Sequence, residues 1–296
     1  SNLEHKIPVS IDSVFEICSI TKQFTVASVM LLVEEGILSL DKPITTYLSE
    51  LSLKWNDITI RHLLTATSGL KDYLNDVYEH DVPIKGSNQN IIQFIIKQEL
   101  HFHPGEQWAY NNTGFVILSQ IIEKLSGLNF HKFLEKHFFE PLGCNIHFNN
   151  LSKIIHNRVA GYEYKNNKWV NRQPTFTGKL SYGDGELLAT IEDMAKWSIV
   201  WSSDKYLKLS SRQLIWSPAK LNNGKQAITP INTNYGFGCF IEKSREYTRY
   251  WIPGSGEGFS TSQMYFPEEN LTIIILTNLG EFLIADSLAL GIKELL

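Results

Sequence analysis

The chain has 296 residues, enough for one large domain or two ordinary ones, and enough to bury roughly three quarters of the surface its unfolded form exposes. Hydrophobic residues make up 43% and charged residues 20%, the balance of a globular protein. The net charge is −4 and no basic cluster carries interleaved aromatics, which argues against a nucleic-acid partner.

Taken in chain order, Ser1–Ile7 is too polar to be a signal peptide, and Leu3–Val9 predicts at best one brief strand. Ile20–Glu35 predicts a helix, with Phe24, Ala27, Met30 and Leu31 at helical spacing and Gly36 as its stop. A loop around Pro43 follows over Leu38–Leu48. Further helices are expected over Ile58–Leu64, Ile91–Leu100 and Gly114–Leu125, the last closed by Gly127. Phe130–Phe139 is expected to be helical up to Pro141. Ile191–Trp201 is expected to start at Thr190, with Glu192 and Asp193 in its first turn. The C-terminal third changes character. Gly236–Glu242, Tyr247–Ile252, Ser260–Phe266 and Leu271–Thr277 read as successive strands, and Glu281–Leu296 as an amphipathic closing helix. Connections this short require antiparallel neighbours. Helices first and a strand meander later predict an α/β fold of the α+β type, an antiparallel sheet flanked by helices beside a mainly helical region. No apolar run reaches the ~18 residues needed to cross a bilayer.

Three cysteines, Cys18, Cys144 and Cys239, are too few and too widely spaced for a disulfide framework, and no CxxC metal pair exists. Cys18 reads as a small buried hydrophobe. His101 and His103 flank one residue in a loop without an evident third ligand, so no metal site is expected.

The first feature with chemical content is Ser19-Ile20-Thr21-Lys22. If a helix starts at Ser19, residues three apart share a face and the Lys22 amine reaches the Ser19 hydroxyl. A serine hydroxyl is a weak nucleophile until a neighbour takes its proton, and burial disfavours the charged form of an amine that would do so. The same SxxK spacing occurs at Ser39, Ser68, Ser202 and Ser217, but only Ser19 opens a strongly apolar helix able to bury the pair. A simple helix cap is the competing reading. The second feature is Tyr110-Asn111-Asn112. A tyrosine at a loop tip can pass a proton to a leaving group, and an amide at Asn112 can bond both a substrate carbonyl and the lysine. The competing reading makes Tyr110 a packing residue and Asn112 or Thr113 a cap, and YxN recurs at Tyr73 and Tyr164.

Joined together, these segments resemble a known family. Phe15-Glu16-Ile17-Cys18-Ser19-Ile20-Thr21-Lys22-Gln23-Phe24-Thr25 is similar to the nucleophile segment of the class C β-lactamase, DD-peptidase and esterase superfamily. Arg61-His62-Leu63-Leu64-Thr65-Ala66-Thr67-Ser68-Gly69-Leu70 resembles its next landmark, and Trp108-Ala109-Tyr110-Asn111-Asn112-Thr113-Gly114 its tyrosine motif. Tyr235-Gly236-Phe237-Gly238, Gly258-Phe259-Ser260 and Phe266-Pro267-Glu268 resemble its closing sheet. The likeness runs from about Asn2 to the C-terminus with the landmarks in family order.

The resemblance implies a β-lactamase/transpeptidase-like fold, with residues 1–40 and 182–296 forming a sheet domain, 41–181 a helical domain, and the active site in the cleft between. It implies a serine hydrolase with no cofactor and no metal. Ser19 attacks a carbonyl, Lys22 and Tyr110 share general-base and general-acid duty, and the backbone N–H groups of Ser19 and Ser255 form the oxyanion hole. Asn112, Gly254 and Ser255 would contact the substrate, a small ester, β-lactam or D-amino-acid peptide. The implied setting is bacterial and outside the cytoplasmic membrane. The oligomeric state stays open.

Four departures qualify this. The family usually places Lys or His, a small residue and Gly six positions before the Gly-Phe pair; here the count lands on Ile252-Pro253-Gly254, and the carboxylate-binding cation is absent. All nine histidines lie at or before His156, so none is local to that motif. Arg245 and Arg249 read as solvated edge charges. Ala66 stands where histidine is common. Glu186, in Gly183-Asp184-Gly185-Glu186-Leu187, takes a place often held by glycine and reads as a surface residue at the cleft, with pocket polarity as the alternative. Last, only 18 residues precede Ser19 where the family has about two strands, which predicts an uncovered sheet edge and a shortened start. The loss of the cation shifts weight towards neutral esters or amides, or towards a protein that binds or acylates without turnover. Other hydrolase designs find no support: there is no GxSxG elbow, no late histidine and no HExxH.

Overall fold

The computed structural model describes residues 1–51, 55–75, 87–150, 152–172 and 182–296. In chain order the elements are β1 (Phe15–Glu16), α1 (Lys22–Glu34), α2 (Ile60–Leu64), α3 (Asn88–Ile95), α4 (Thr113–Ser126), α5 (Phe130–Leu134), β2 (His147–Phe148), β3 (Tyr162–Lys165), β4 (Lys168–Asn171) and β5 (Leu187–Ala189). They continue with α6 (Ile191–Trp197), α7 (Leu209–Ile215), β6 (Asn234–Tyr235), β7 (Phe240–Lys243), β8 (Thr248–Gly256), β9 (Phe259–Phe266), β10 (Leu271–Thr277) and α8 (Ile284–Leu295). The expected α+β class holds, with an antiparallel sheet flanked by helices.

The C-terminal strands form one antiparallel sheet in the order β10-β9-β8-β7-β6. A two-residue turn at Glu257-Gly258 joins β8 to β9, with Gly256 facing Phe259 in register. Gly258 has φ +76°, and a Cβ there would come within 2.7 Å of the Gly161 backbone, so the turn needs glycine. Both sheet faces are apolar because side chains alternate along each strand. Ile241 and Ile252 join the large core around α1, whereas Trp251, Met264, Phe266 and Ile273 form a second core with Ala289 of α8. The sheet is therefore sandwiched between helices.

Helix α1 is buried almost all round, as an apolar helix in the middle of a protein must be. Phe24 stacks on Trp197 of α6 at 3.8 Å between ring centroids. Gln23 Oε1 accepts from both Trp197 Nε1 (3.0 Å) and Trp201 Nε1 (2.9 Å), which satisfies three buried polar groups at once. Helix α6 starts on a reciprocal capping box between Thr190 and Asp193. Helix α4 ends at Gly127, φ +69°.

Several expectations change in detail. The segment Leu3–Val9 is not a strand; Asn2 and Ile7 pair across a polar turn in which Lys6 takes φ +53°. The helix expected from Ile20 begins instead as a tight 3₁₀ turn over Cys18–Thr21. The strand expected over Gly236–Glu242 starts only at Phe240, because Gly238 turns the chain at φ +65° between it and β6. The short sheet β1-β5-β2, the hairpin β3–β4 and helix α7 were not anticipated.

Candidate active site

The 3₁₀ turn that carries Ser19 is fixed from two sides. Ile17 N donates to Leu187 O of β5 (3.0 Å) and Ile17 O accepts from Thr261 Oγ1 of β9 (2.9 Å). Cys18 then takes φ +49°, a conformation that side chains with a Cβ rarely adopt. Its buried side chain lies against Gly256, where a Cβ would meet the sulfur at 2.8 Å. This supports the reading of Cys18 as a small packing residue. Ser19 stays partly exposed beside a fully buried Lys22.

Lys22 Nζ stands 3.0 Å from Ser19 Oγ, 2.7 Å from Asn112 Oδ1 and 2.8 Å from the Asp184 carbonyl oxygen. The last two partners only accept, so each fixes one N–H of the amine. The remaining tetrahedral position points at the serine. It holds a third N–H when Lys22 is an ammonium and a lone pair when it is neutral. From the opposite side Tyr110 OH donates to Ser19 Oγ at 2.9 Å. The loop carrying Tyr110 is held by Ala109 N on Ala66 O (3.0 Å) and Gly105 N on Thr67 O (2.8 Å). Ala66 is buried with φ +56°, so its part here is to offer a carbonyl to that loop.

Asn112 occupies the N-cap position of α4, yet its side chain does not cap the helix; Asn111 Oδ1 accepts from Gly114 N instead, at 2.8 Å. The Asn112 amide is thereby free to bridge. Its Nδ2 donates to Asp72 Oδ2 at 2.8 Å while its oxygen accepts from Lys22. Burial raises the Asp72 carboxyl above the usual range, and its hydrogen bonds and the Lys22 charge oppose that shift.

Gly254 and Ser255 lie on the part of β8 beyond its last pairing with β7, Phe240 to Trp251, so this stretch borders the cleft on its outer edge. A Cβ at Gly254 would sit 2.0 Å from Thr261 Oγ1 and 2.5 Å from Ile17 O, which leaves room for glycine alone. Ser255 is exposed and shares with Ser19 a cleft of about 130 Å³, also lined by Glu16, Arg172, Glu186 and Glu257.

Two expectations are corrected. Glu186 is not a surface residue: it is 7% exposed and lines the cleft. Its carboxyl folds back on the Gly183 and Gly185 N–H groups, and burial, with the nearby Asp184 charge adding, pushes it up to about 7. Arg249 is not a solvated edge charge: it is buried, ion-pairs with Glu242 at 2.6 Å and stacks over Trp251, on the sheet face opposite Ile252. Arg245 is exposed as expected. Ile252 itself is 5% exposed in the α1 core beside Val26 and Phe237. Among the described residues lining the cleft there is one cation, Arg172. It is ion-paired with Glu16 at 2.8 Å, which also holds Arg158.

Sequence reasoning missed Asp72 and the Asp184 carbonyl, and Tyr73, noted only as a recurrence of YxN, donates its OH to Asp184 Oδ2 at 2.7 Å. Asp72 lies two residues beyond the Ser68-Gly69-Leu70 landmark, a position with no distinguishing signal of its own. Among the described residues no group of three or more His, Cys, Asp or Glu side chains is placed to hold a metal, and His101 and His103 are exposed. No helix among the described residues is long and apolar enough to cross a membrane.

The family model described as Beta-lactamase matches residues 1–289. Penicillin-binding protein 4* of Bacillus subtilis is 30% identical over 300 residues, covering 95% of this chain but 64% of that protein. The chain thus spans under two thirds of that relative's length. Among solved structures, a penicillin binding protein from Bacillus halodurans superposes with a TM-score of 0.84 at 25% identity, over 99% of this chain and 88% of that one. A D-amino acid amidase from Ochrobactrum anthropi gives a TM-score of 0.80 at 21% identity, over 99% and 87%, a likeness of fold alone.

Proposed function

The chain belongs to the Beta-lactamase family, and from that premise we propose that it is a serine hydrolase that forms an acyl-enzyme on Ser19. One observation carries the reading: an amine at 3.0 Å and a phenol at 2.9 Å converge on a single partly exposed hydroxyl. In the proposed cycle Ser19 Oγ attacks a substrate carbonyl and its proton passes to the Lys22–Tyr110 pair. That pair returns the proton to the leaving group as the carbonyl–leaving-group bond breaks. Water then attacks the Ser19 ester, gives up a proton to the same pair, and the acid leaves as the serine is restored. The N–H groups of Ser19 and Ser255 are assigned to the developing oxyanion, each such donor being worth roughly a hundred- to a thousandfold in rate.

For substrate, Ile252 decides. The position that resembles the family's carboxylate-binding cation is filled by an apolar core residue, and Arg172 is already paired with Glu16. That favours a neutral ester or amide over a carboxylate-bearing β-lactam or D-amino-acid peptide. The second reading, a protein that acylates without turnover, rests on the same residue. We place the protein in a bacterial, extracytoplasmic setting, on the company of its relatives.

A panel of p-nitrophenyl acetate, nitrocefin and a fluorescent penicillin separates the readings. Ester turnover that disappears in Ser19→Ala supports the hydrolase. Stoichiometric penicillin labelling without turnover supports the second reading. Silence with all three probes counts against both.

A further inference from the structure

Glu186 has no place in the reaction just proposed, yet it is a buried carboxyl one short loop away from the catalytic lysine. Residues 182–187 form that loop, and each is tied down. Tyr182 N donates to Asn88 Oδ1 (2.7 Å), Gly183 O accepts from Thr25 Oγ1 (2.7 Å), Asp184 Oδ2 accepts from Tyr73 OH (2.7 Å), and Leu187 N donates to Thr21 Oγ1 (3.2 Å). Within the loop, the Glu186 carboxyl accepts from Gly183 N with both oxygens (3.0 Å each) and from Gly185 N (3.2 Å). These two N–H groups flank Asp184, whose carbonyl holds Lys22 Nζ at 2.8 Å. Gly183 has φ +101°, and a Cβ there would meet Phe115 O at 2.5 Å, so the loop cannot relax towards α4.

We propose that Glu186 is a positioning residue for Lys22: its ionised carboxylate clamps the N–H groups on either side of Asp184 and so holds the carbonyl that orients the lysine amine. This rests on the hydrolase reading of Ser19 and Lys22. A carboxylate only accepts and can serve both N–H groups with both oxygens. A protonated carboxyl turns one oxygen into a hydroxyl donor and gives up part of the clamp. The group sits where this matters, since burial pushes it up to about 7. Asp184 and Tyr182 face it from its own loop, and Glu16, Arg172 and Glu257 from across the cleft. Cys18, on the serine turn, lines the same cleft. The sign follows directly. Above about pH 7 the clamp is complete and Lys22 is held; as pH falls through 7 the clamp loosens and turnover drops.

The test is the pH profile of kcat and KM for a neutral ester, p-nitrophenyl acetate, in the full chain and in Glu186→Gln. Wild type should lose turnover as pH falls through about 7, in kcat with little change in KM. In Glu186→Gln kcat at high pH should fall about ten- to a hundredfold, the size of a misplaced catalytic group, and the inflection near 7 should vanish. Glu186→Gly, which places the family's common residue there, should lose the same inflection and guards against a folding defect of the first variant. A wild-type kcat and an unmoved inflection in both variants overturn the proposal and leave the hydrolase reading intact. If Ser19→Ala retains turnover, that reading fails instead. The Lys22 ¹³Cε resonance, assigned with Lys22→Arg, then decides: an inflection near pH 7 that Glu186→Gln removes supports the clamp, and a titration identical in both proteins overturns it.

Discussion

Asp72 and Asn112 are joined twice, by the side-chain amide at 2.8 Å and by the Asn112 backbone N–H at 3.3 Å, both to Asp72 Oδ2. A carboxylate can only accept, so the Asn112 nitrogen must face Asp72 and its oxygen must face Lys22. The carboxylate therefore sets which end of the amide meets the amine. Asp72→Ala should release the amide to rotate and offer N–H to N–H. Turnover of a neutral ester is expected to fall about tenfold or more, with a smaller change in KM. Steady-state kinetics check this, and an unchanged kcat would show that the Asn112 orientation is held by Lys22 alone.

Removing the amine itself should cost more. Lys22→Ala takes away one member of the pair proposed to accept the serine proton, and with it the donor that Asn112 Oδ1 and the Asp184 carbonyl share. The rate of Ser19 acylation should fall at least about a hundredfold, typical of lost general-base assistance. Losing that buried donor adds about 1–3 kcal/mol of destabilisation. Pre-steady-state acylation by p-nitrophenyl acetate and a thermal melt read the two effects separately; a wild-type acylation rate would make Lys22 merely structural.

Long periodic stretches were legible in the sequence because a helix such as α4 or a strand such as β10 repeats its burial pattern over many residues. Leu271–Thr277 was bounded correctly for that reason. Two-residue strands such as β1 and β2 contain no period, and only their tertiary partner β5 makes them strands. The site divides the same way. The spacing brought Ser19 within reach of Lys22 but recurs at four other serines, so the apolar helix and the resemblance were needed to single the pair out; a 3₁₀ turn replaces the helix start expected there. Tyr110 and Asn112 came through the resemblance. Asp72 acts across 40 residues of chain and Asp184 through its backbone, so neither leaves a side-chain pattern to find. Glu186 was visible as a residue in an unusual place. Its burial was not, because nothing local says that the Gly183 and Gly185 N–H groups turn inward to receive it.

The glycine of the third motif is a packing requirement before it is a substrate contact. A methyl at Gly254 would collide with Thr261 Oγ1 and with the Ile17 carbonyl, the two groups that pin the serine turn to β9. Neither neighbour is the end of a long flexible chain, so β8 or the turn must shift. Gly254→Ala should lose about 1–3 kcal/mol of stability, the range for overpacking a tight site, and lose activity out of proportion, since Ser19 and Ser255 would move relative to each other. Chemical denaturation combined with ester kinetics tests this. Full activity in a stable Gly254→Ala protein would mean that the strand absorbs the methyl elsewhere.

Asp286 offers a test of stability away from the cleft. It sits buried under the sheet, where Ser262 Oγ donates to its Oδ1 at 2.7 Å while Oδ2 has no hydrogen-bond partner among the described residues. Burial pushes its carboxyl up to about 6, against the Ser262 bond and the Arg249 charge. A folded-state value above the unfolded one means the native state binds the proton more tightly. The resulting stabilisation is complete below about pH 4, the unfolded carboxylate value, and is lost as pH rises through about 6. At neutral pH the ionised group is therefore a net cost. Asp286→Asn keeps an oxygen for Ser262 and cannot ionise, so it should be more stable than wild type above pH 6, on the order of 2 kcal/mol, with a flatter stability profile between about pH 4 and 6. Thermal melts across that range provide the measurement. Parallel profiles for the two proteins would show that the Arg249 charge already compensates Asp286 in full.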